Sequence, residues 1–198
     1  MTGLPARILA LVQLTLREPR QAVRALLAED VPMAARTAGL LLMAVLSAIL
    51  LQPGFALLPR PEDAVGQFLM QSPLQTAMVQ WLILLLSALL LHRIGRAFDG
   101  VGSLADAFLV VIWLQLIMLF VQLAQLLALI LAPPLAGLLG LAGFVLFLWL
   151  LVNFIAELHG FRSLGAILAA VVVTFFLAAF VVAILLGLFL GPEALTNV

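Results

Sequence analysis

Residues 104–131 read LADAFLVVIWLQLIMLFVQLAQLLALIL and contain a single charged side chain, Asp106, close to the start. A helix of about 20 apolar residues spans the hydrocarbon core of a bilayer, so this stretch is longer than a membrane requires. Inside hydrocarbon a backbone must satisfy its own hydrogen bonds, and a helix does so. The stretch therefore predicts a transmembrane helix that tilts or projects beyond the membrane.

Four further stretches have the same character, at residues 36–58, 74–92, 135–157 and 164–190. The composition agrees, because 66% of the 198 residues are hydrophobic and only 9% are charged, with a mean hydropathy of +1.33. Soluble domains carry about 25% charged residues. The sequence predicts an all-α, polytopic membrane protein with five transmembrane helices, the first of them bent at Pro53.

The residues before the first of these helices predict a different kind of element. Residues 5–28 are expected to form interfacial helices interrupted at Pro19, and Val23, Leu26 and Leu27 recur at helical spacing. The opposite face is basic, and the predicted lipid-surface contacts are Arg17, Arg20 and Arg24. An amphipathic helix of this kind lies in the headgroup layer; the alternative is a helix packed on its own bundle.

This pattern divides the chain into two predicted parts. The first is an amphipathic cytoplasmic or interfacial segment, residues 1–30, and the second is a five-helix membrane domain, residues 31–198. The bundle is expected to stay folded when residues 1–28 are removed. Membrane lipid is a predicted partner of both parts, together with a protein partner or a second copy of the chain.

The arginines predict the orientation in the membrane. Eight of the nine basic residues fall on one side of the predicted helices, and only Arg60 falls on the other. Basic residues concentrate on the cytoplasmic side, so the N-terminus is predicted to be cytoplasmic and the C-terminus outside. The outer loop, residues 59–73, is expected to hold one short helix capped by Glu62 and Asp63.

Several kinds of chemistry are not indicated. The formal net charge is zero, which argues against a nucleic-acid partner, and no cysteine is present for disulfides or thiolate metal sites. His92 and His159 stand alone at helix ends, which favours structural or solvated roles over metal ligation. The GVG at residues 100–102 follows no strand and is expected to be a turn. The sequence thus predicts no enzyme, no cofactor and no metal site.

The polar stretch LHRIGRAFDGVGSLADAF, residues 91–108, predicts a cytoplasmic turn. Ser103 is placed to cap the following helix, and Asp106 suits its positive end. Glu157 lies at the negative end of the fourth helix and needs a cation, for which Arg93 or Arg96 is the predicted partner and Arg162 the local alternative. The candidate polar network comprises Asp106, Glu157, Asn153, Arg93, Arg96 and Arg162. Proton transfer by Asp106 and Glu157 is the competing interpretation.

Amides rather than charges occupy the predicted membrane interior, at Gln80, Gln115, Gln122 and Gln125. Gln115 and Gln122 share one helix face because seven residues make two turns. Interhelical hydrogen bonds are one interpretation, and a polar path for a small substrate is the other.

Three stretches together resemble the Yip1 family of integral membrane proteins, in its bacterial branch. They are EPRQAVRALL at 18–27, GRAFDGVGSLADAFLVVIWL at 95–114 and ELHGFRSLGAILAAVVV at 157–173. The resemblance implies a non-enzymatic membrane scaffold or adaptor, here in a bacterial inner membrane, acting through lipid and protein contacts. Eukaryotic members are associated with Rab GTPases, but this chain lacks their Asp-Leu-x-Gly-Pro and Gly-Tyr elements. A small transporter or channel with a glutamine-lined interior is the alternative function.

Overall fold

In the computed structural model, which describes residues 3–57, 59 and 64–190, the chain forms eight helices and no strand. They are α1 (Leu4–Arg17), α2 (Pro19–Leu27), α3 (Met33–Leu57), α4 (Ala64–Gln71), α5 (Pro73–Ala97), α6 (Leu104–Leu131), α7 (Pro133–His159) and α8 (Leu164–Leu190). Within these residues α3, α5, α6, α7 and α8 are long and apolar enough to cross a membrane, which confirms the predicted five-helix architecture.

The helix boundaries correct the prediction in one place. α5 runs on to Ala97, so the turn occupies residues 98–103 and not the whole of 91–108. The reason is that Arg93 and Arg96 are good helix formers, and their long side chains carry the charge away from hydrocarbon. α4 is the short helix expected between residues 59 and 73, although Arg60 and the predicted caps Glu62 and Asp63 lie outside the described residues.

Helix α3 passes through Pro53 without interruption and ends at Leu57. A proline removes one hydrogen bond from a helix interior, yet the helical assignment is continuous here. The proline therefore does not divide α3 into two half-helices.

Helix α6 is the centre of the bundle. Half of its most apolar window is buried inside the protein, against 6–28% for the other four membrane helices. It packs on α3, α5 and α7, and α8 packs on α7 at the periphery. The C-terminal ends of α5 and α7, the α1–α2 segment and the starts of α3, α6 and α8 lie at the same end of the bundle. We call it the arginine-rich end.

Small residues bring α6 and α7 together. A Cβ atom at Gly143 would stand 2.6 Å from Val121 Cγ1, and one at Gly140 would stand 2.8 Å from Gln125 Nε2. A methyl group at Gly143 would have to displace the short, branched Val121, whereas the flexible Gln125 side chain can move away from one at Gly140. Close packing at small residues is how membrane helices associate without a hydrophobic driving force between them.

Helices α1 and α2 form a hairpin that packs on α6 and α7. Val23 is fully buried and Leu26 is 9% exposed, and both belong to the same core cluster as Trp113 and Phe154. The indole Nε1–H of Trp113 donates to Thr15 Oγ1 at 2.9 Å. Of the two interpretations of this segment, packing on its own bundle is the one observed. The expectation that residues 1–28 are dispensable for the fold conflicts with this packing.

Candidate functional site

The first turn of α6 is capped as the sequence predicts. Ser103 Oγ accepts from the backbone N–H of Asp106 at 3.1 Å and donates to Asp106 Oδ2 at 2.5 Å. The other carboxylate oxygen receives Arg36 Nη1 at 3.1 Å, from the start of α3. Because Arg36 is 8% exposed and also donates to the carbonyl of Val31 at 2.8 Å, it holds the two helix ends in register.

Glu157 has a different partner from the predicted one. Its carboxylate accepts a hydrogen bond from Arg24 Nε on α2 at 2.8 Å, and no ion pair joins it to Arg93, Arg96 or Arg162 among the described residues. The predicted inter-hairpin pair is therefore wrong. The physical reason is that α2, not α5, packs beside the end of α7. The hydrogen bond and the charge of Glu157 raise the pKa of Arg24 above its ordinary value, so that side of the pair stays cationic.

A second bond lies one turn deeper on the same two helices. Arg20 Nε donates to Asn153 Oδ1 at 3.3 Å, and Asn153 Nδ2 donates to the carbonyl of Trp149 at 2.8 Å. Asn153 and Glu157 thus share a face of α7, as predicted, and that face is covered by α2. Of the three arginines predicted to contact lipid, Arg20 and Arg24 bond to α7, and Arg17 is exposed.

Arg93 and Arg96, near the end of α5, and Arg162, between α7 and α8, lie outside this network. Arg96 Nη1 donates to the carbonyl of Gly100 at 3.2 Å. Arg93 and Arg162 are exposed and make no side-chain hydrogen bond to any residue in the described part of the chain. The predicted network therefore does not form. Asp106 bonds to α3, Glu157 and Asn153 bond to α2, and within the described residues none of these three bonds to Arg93, Arg96 or Arg162.

The first testable prediction concerns the Arg24–Glu157 pair. We expect Glu157→Arg to lower the melting temperature of the purified protein by a few degrees, because it places a third cation beside Arg20 and Arg24. Adding Arg24→Glu should restore most of the loss, since the reversed pair can re-form across the same contact. The measurement is thermal unfolding in detergent of the wild type, both single variants and the double variant.

The matched control is the pair that the sequence alone suggested. Combining Glu157→Arg with Arg96→Glu should give no recovery, because Arg96 bonds to Gly100 and not to Glu157. Recovery with Arg96→Glu but not with Arg24→Glu would show that the α2–α7 contact is misplaced.

His159, the last residue of α7, is built into the turn between α5 and α6. It is 2% exposed, its Nδ1 accepts from the backbone N–H of Gly102 at 3.3 Å, and its Nε2 lies 3.1 Å from the carbonyl of Leu91. These partners assign the proton to Nε2, which donates to that carbonyl. The imidazole therefore joins the end of α5, the turn and the end of α7.

Three glycines make the space for that ring. Cβ atoms built at Gly95, Gly100 and Gly102 would stand 2.1, 2.4 and 2.9 Å from its nearest atoms. Glycines of the sequence motif at 100–102 thus serve a packing role around His159, which confirms a structural role for this histidine. His92 also bonds the turn, with Nδ1 3.1 Å from the carbonyl of Gly102.

The turn held by His159 presents two apolar side chains outward. Phe98 is 66% exposed and Val101 is 74% exposed, with the exposed Asp99 between them in a left-handed conformation at φ 60°. A non-glycine residue with positive φ is uncommon and stays in place only when its surroundings fix it. The turn thus has a fixed backbone conformation and lies exposed at the arginine-rich end.

All four predicted intramembrane amides line a single cavity, which we call the amide cavity. Its volume is about 340 Å³, and it lies between α3, α5, α6 and α7. Ser47 links two of the amides, because Gln115 Nε2 donates to Ser47 Oγ at 3.3 Å and Ser47 Oγ donates to Gln122 Oε1 at 3.1 Å. Gln125 Nε2 lies 3.5 Å from the carbonyl of Ala136. The amides therefore bridge helices and also line a cavity, and a polar path for a substrate stays a prediction.

Sequence reasoning missed several residues of these sites. Thr15, Ser47 and Arg36 were not singled out as partners. Only Ser47 stands alone in an apolar stretch, and that isolation is the signal that could have found it, because a polar group in hydrocarbon requires a partner. The clustering of Gly95, Gly100 and Gly102 is a second signal, because glycines allow another group to approach the backbone closely.

A model of the family described as the Yip1 domain matches residues 14–186. No curated protein and no solved structure matches the chain. The match begins within α1 and ends within α8, so it includes the α2–α7 contact, the His159 turn and the amide cavity.

Proposed function

Since this chain belongs to the Yip1 family, we propose that it is a non-enzymatic membrane scaffold or adaptor that acts through protein and lipid contacts at its arginine-rich end. The observation that carries the proposal is the turn at residues 98–103. His159 ties this turn to the helices, because its Nδ1 accepts from the Gly102 N–H of the turn and its Nε2 donates to the Leu91 carbonyl of α5, while Phe98 and Val101 remain exposed. A fixed backbone that presents apolar side chains suits recognition, because little conformational entropy is lost on binding.

The lipid contacts are proposed for the arginines that have no partner among the residues that the structure describes. Arg17, Arg93 and Arg162 are exposed at this end, whereas Arg7 pairs with Glu29 and Arg24 with Glu157. A basic side chain near an anionic membrane surface contributes about 1 kcal/mol. The three free arginines would therefore hold this end at the headgroup layer and keep the turn facing the aqueous phase.

The orientation and location belong to the same proposal. The arginine-rich end faces the cytoplasm and the membrane is a bacterial inner membrane. Support comes from the eight-to-one distribution of the arginines and from the resemblance to the bacterial branch. With five crossings the C-terminus is then outside.

The second testable prediction is a crosslinking result. A photoreactive amino acid at Phe98 should give discrete protein adducts in cells, because the turn faces an aqueous partner. The same amino acid at Phe175, which is 68% exposed on the membrane helix α8, should give lipid adducts only. Adducts are separated by electrophoresis and identified by mass spectrometry, and Val101→Ser should weaken the protein adducts formed from position 98.

Phe98 adducts that contain only lipid would contradict the adaptor role and show that the turn is a membrane anchor. An impermeant thiol reagent supplies the orientation control, since the chain has no cysteine. Asp99→Cys should be protected in intact cells and should react after the membrane is opened.

A transporter or channel is the second candidate, and the amide cavity is the observation that favours it. The uninterrupted α3 removes the broken helix that would have supported it from the sequence. Val111 and Leu114, both 6% exposed, are buried in α6 between the cavity-lining Gln115 and the start of the helix at the arginine-rich end. Passage of a substrate across the membrane would require this packed region to open.

A further inference from the structure

We propose that the amide cavity binds the polar part of an uncharged lipid of the diacylglycerol class, which enters sideways from the bilayer. This site lies within the membrane and is separate from the turn and arginines of the proposed adaptor surface. Its test can therefore fail without affecting that proposal, and the reverse also holds.

Several hydrogen-bonding groups of the cavity amides are unused among the described residues. Gln80 lines the cavity and makes no hydrogen bond to any other residue that the structure describes. Gln115 Oε1 and Gln122 Nε2 are likewise unused, because Ser47 engages only the other atom of each amide. An amide without a partner is costly in hydrocarbon. A ligand with both hydroxyl and carbonyl oxygens would satisfy these donors and acceptors together.

The cavity begins below the surface of the membrane. Gln80 and Gly140 each lie seven residues from the helix end opposite the arginine-rich end, which is about 10 Å along the axis. Because α5 and α7 exceed a bilayer core of about 30 Å, this places the outer rim of the cavity about 5–7 Å inside the hydrocarbon, and Ser47 and Gln115 lie deeper. A lipid without a charged headgroup is not held at the water surface, so its esters and hydroxyl can reach that level.

The amide cavity has an uncharged lining and an opening toward the lipid. The lining residues include no charged side chain, which disfavours a phosphate or carboxylate. Phe144 belongs to the lining and is 56% exposed on the outer face of α7, so the cavity opens toward the lipid. A volume of about 340 Å³ accommodates a glycerol backbone and its ester groups, with the acyl chains left in the bilayer.

The third testable prediction is selective stabilisation by such a lipid. Titration of the purified protein with 1,2-dioctanoylglycerol should raise its melting temperature to a plateau, and dioctanoyl phosphatidylglycerol should raise it much less. Gln80→Leu should weaken the apparent affinity for dioctanoylglycerol about tenfold, the effect of one lost hydrogen bond. Gln52→Leu is the matched control, because this amide bonds to Thr76 Oγ1 on α5 and does not line the cavity.

Three results would overturn the proposal. They are equal stabilisation by both lipids, no stabilisation by either, and equal weakening by Gln80→Leu and Gln52→Leu. If Gln80→Leu does not fold, the site is tested by photocrosslinking the wild-type protein with a diazirine-bearing diacylglycerol. Its adducts should map to residues 118–125 of α6 or 140–147 of α7, and adducts confined to α8 would refute the site.

Discussion

Replacing Gly95 with alanine is expected to destabilise the protein by about 3 kcal/mol. The new methyl group would stand 2.1 Å from His159 Nε2, on a ring that is 2% exposed and hydrogen-bonded on both sides. Overpacking of this kind costs about 1–3 kcal/mol, and displacement of the ring adds the loss of one or both hydrogen bonds. The result runs against helix propensity, by which glycine to alanine gains about 1 kcal/mol. Thermal or denaturant unfolding in detergent measures it.

The controls separate a steric clash from a general effect of the substitution. Gly54→Ala, in α3, should be neutral or stabilising, because a Cβ there meets nothing within 4 Å. Gly95→Ala combined with His159→Ala should be no less stable than His159→Ala alone, since the clash disappears with the ring. Losses that add in the double variant would mean that Gly95 and His159 do not compete for the same space.

Removal of residues 1–28 is expected to leave a protein that aggregates on extraction or unfolds far more readily than the full chain. Two buried polar groups would lose partners, the indole N–H of Trp113 and the amide oxygen of Asn153, at about 1–3 kcal/mol each. Glu157, with its side chain 18% exposed, would lose its cation as well. The two polar losses sum to about 2–6 kcal/mol, which reaches the lower part of the stability of a typical domain, about 5–15 kcal/mol.

A point substitution tests the same contact without truncation. Val23→Asp places a carboxylate at a fully buried position of α2 and should reproduce most of the loss. Ala25→Asp, on the exposed face of the same helix, should be tolerated. The fraction of monodisperse protein after size-exclusion chromatography compares the variants. A monodisperse, stable truncated protein would show that the hairpin is accessory to the bundle.

The membrane helices were predictable because length and apolarity alone identify them. Ser103 and Asp106 were predictable for a related reason, since a capping pair is local in sequence. Gln115 and Gln122 share a helix face by periodicity, and the structure joins them through Ser47. These features depend on residues within one helix, or on the bilayer as a uniform solvent.

The partner of Glu157 was not predictable, because it depends on which helix lies beside α7. The sequence shows that Glu157 needs a cation, but several arginines share its end of the bundle. The choice of Arg24 follows from the packing of Val23 and Leu26 on α6 and α7. An amphipathic helix carries the same pattern whether its apolar face meets lipid or protein, so the pattern of α2 did not distinguish the two.

The bonds from α2 to α7 also constrain how the chain is assembled. Arg20 and Asn153, like Arg24 and Glu157, are separated by 133 residues. At a synthesis rate of about 5–20 residues per second, α2 waits on the order of 10 s before its binding surface on α7 has been translated. During that interval its apolar face has no protein to cover it, and the membrane surface is the place where such a helix can rest. The apolar face of α2 can thus bind the bilayer surface while the chain is being synthesised. In the folded protein the same face packs on α6 and α7.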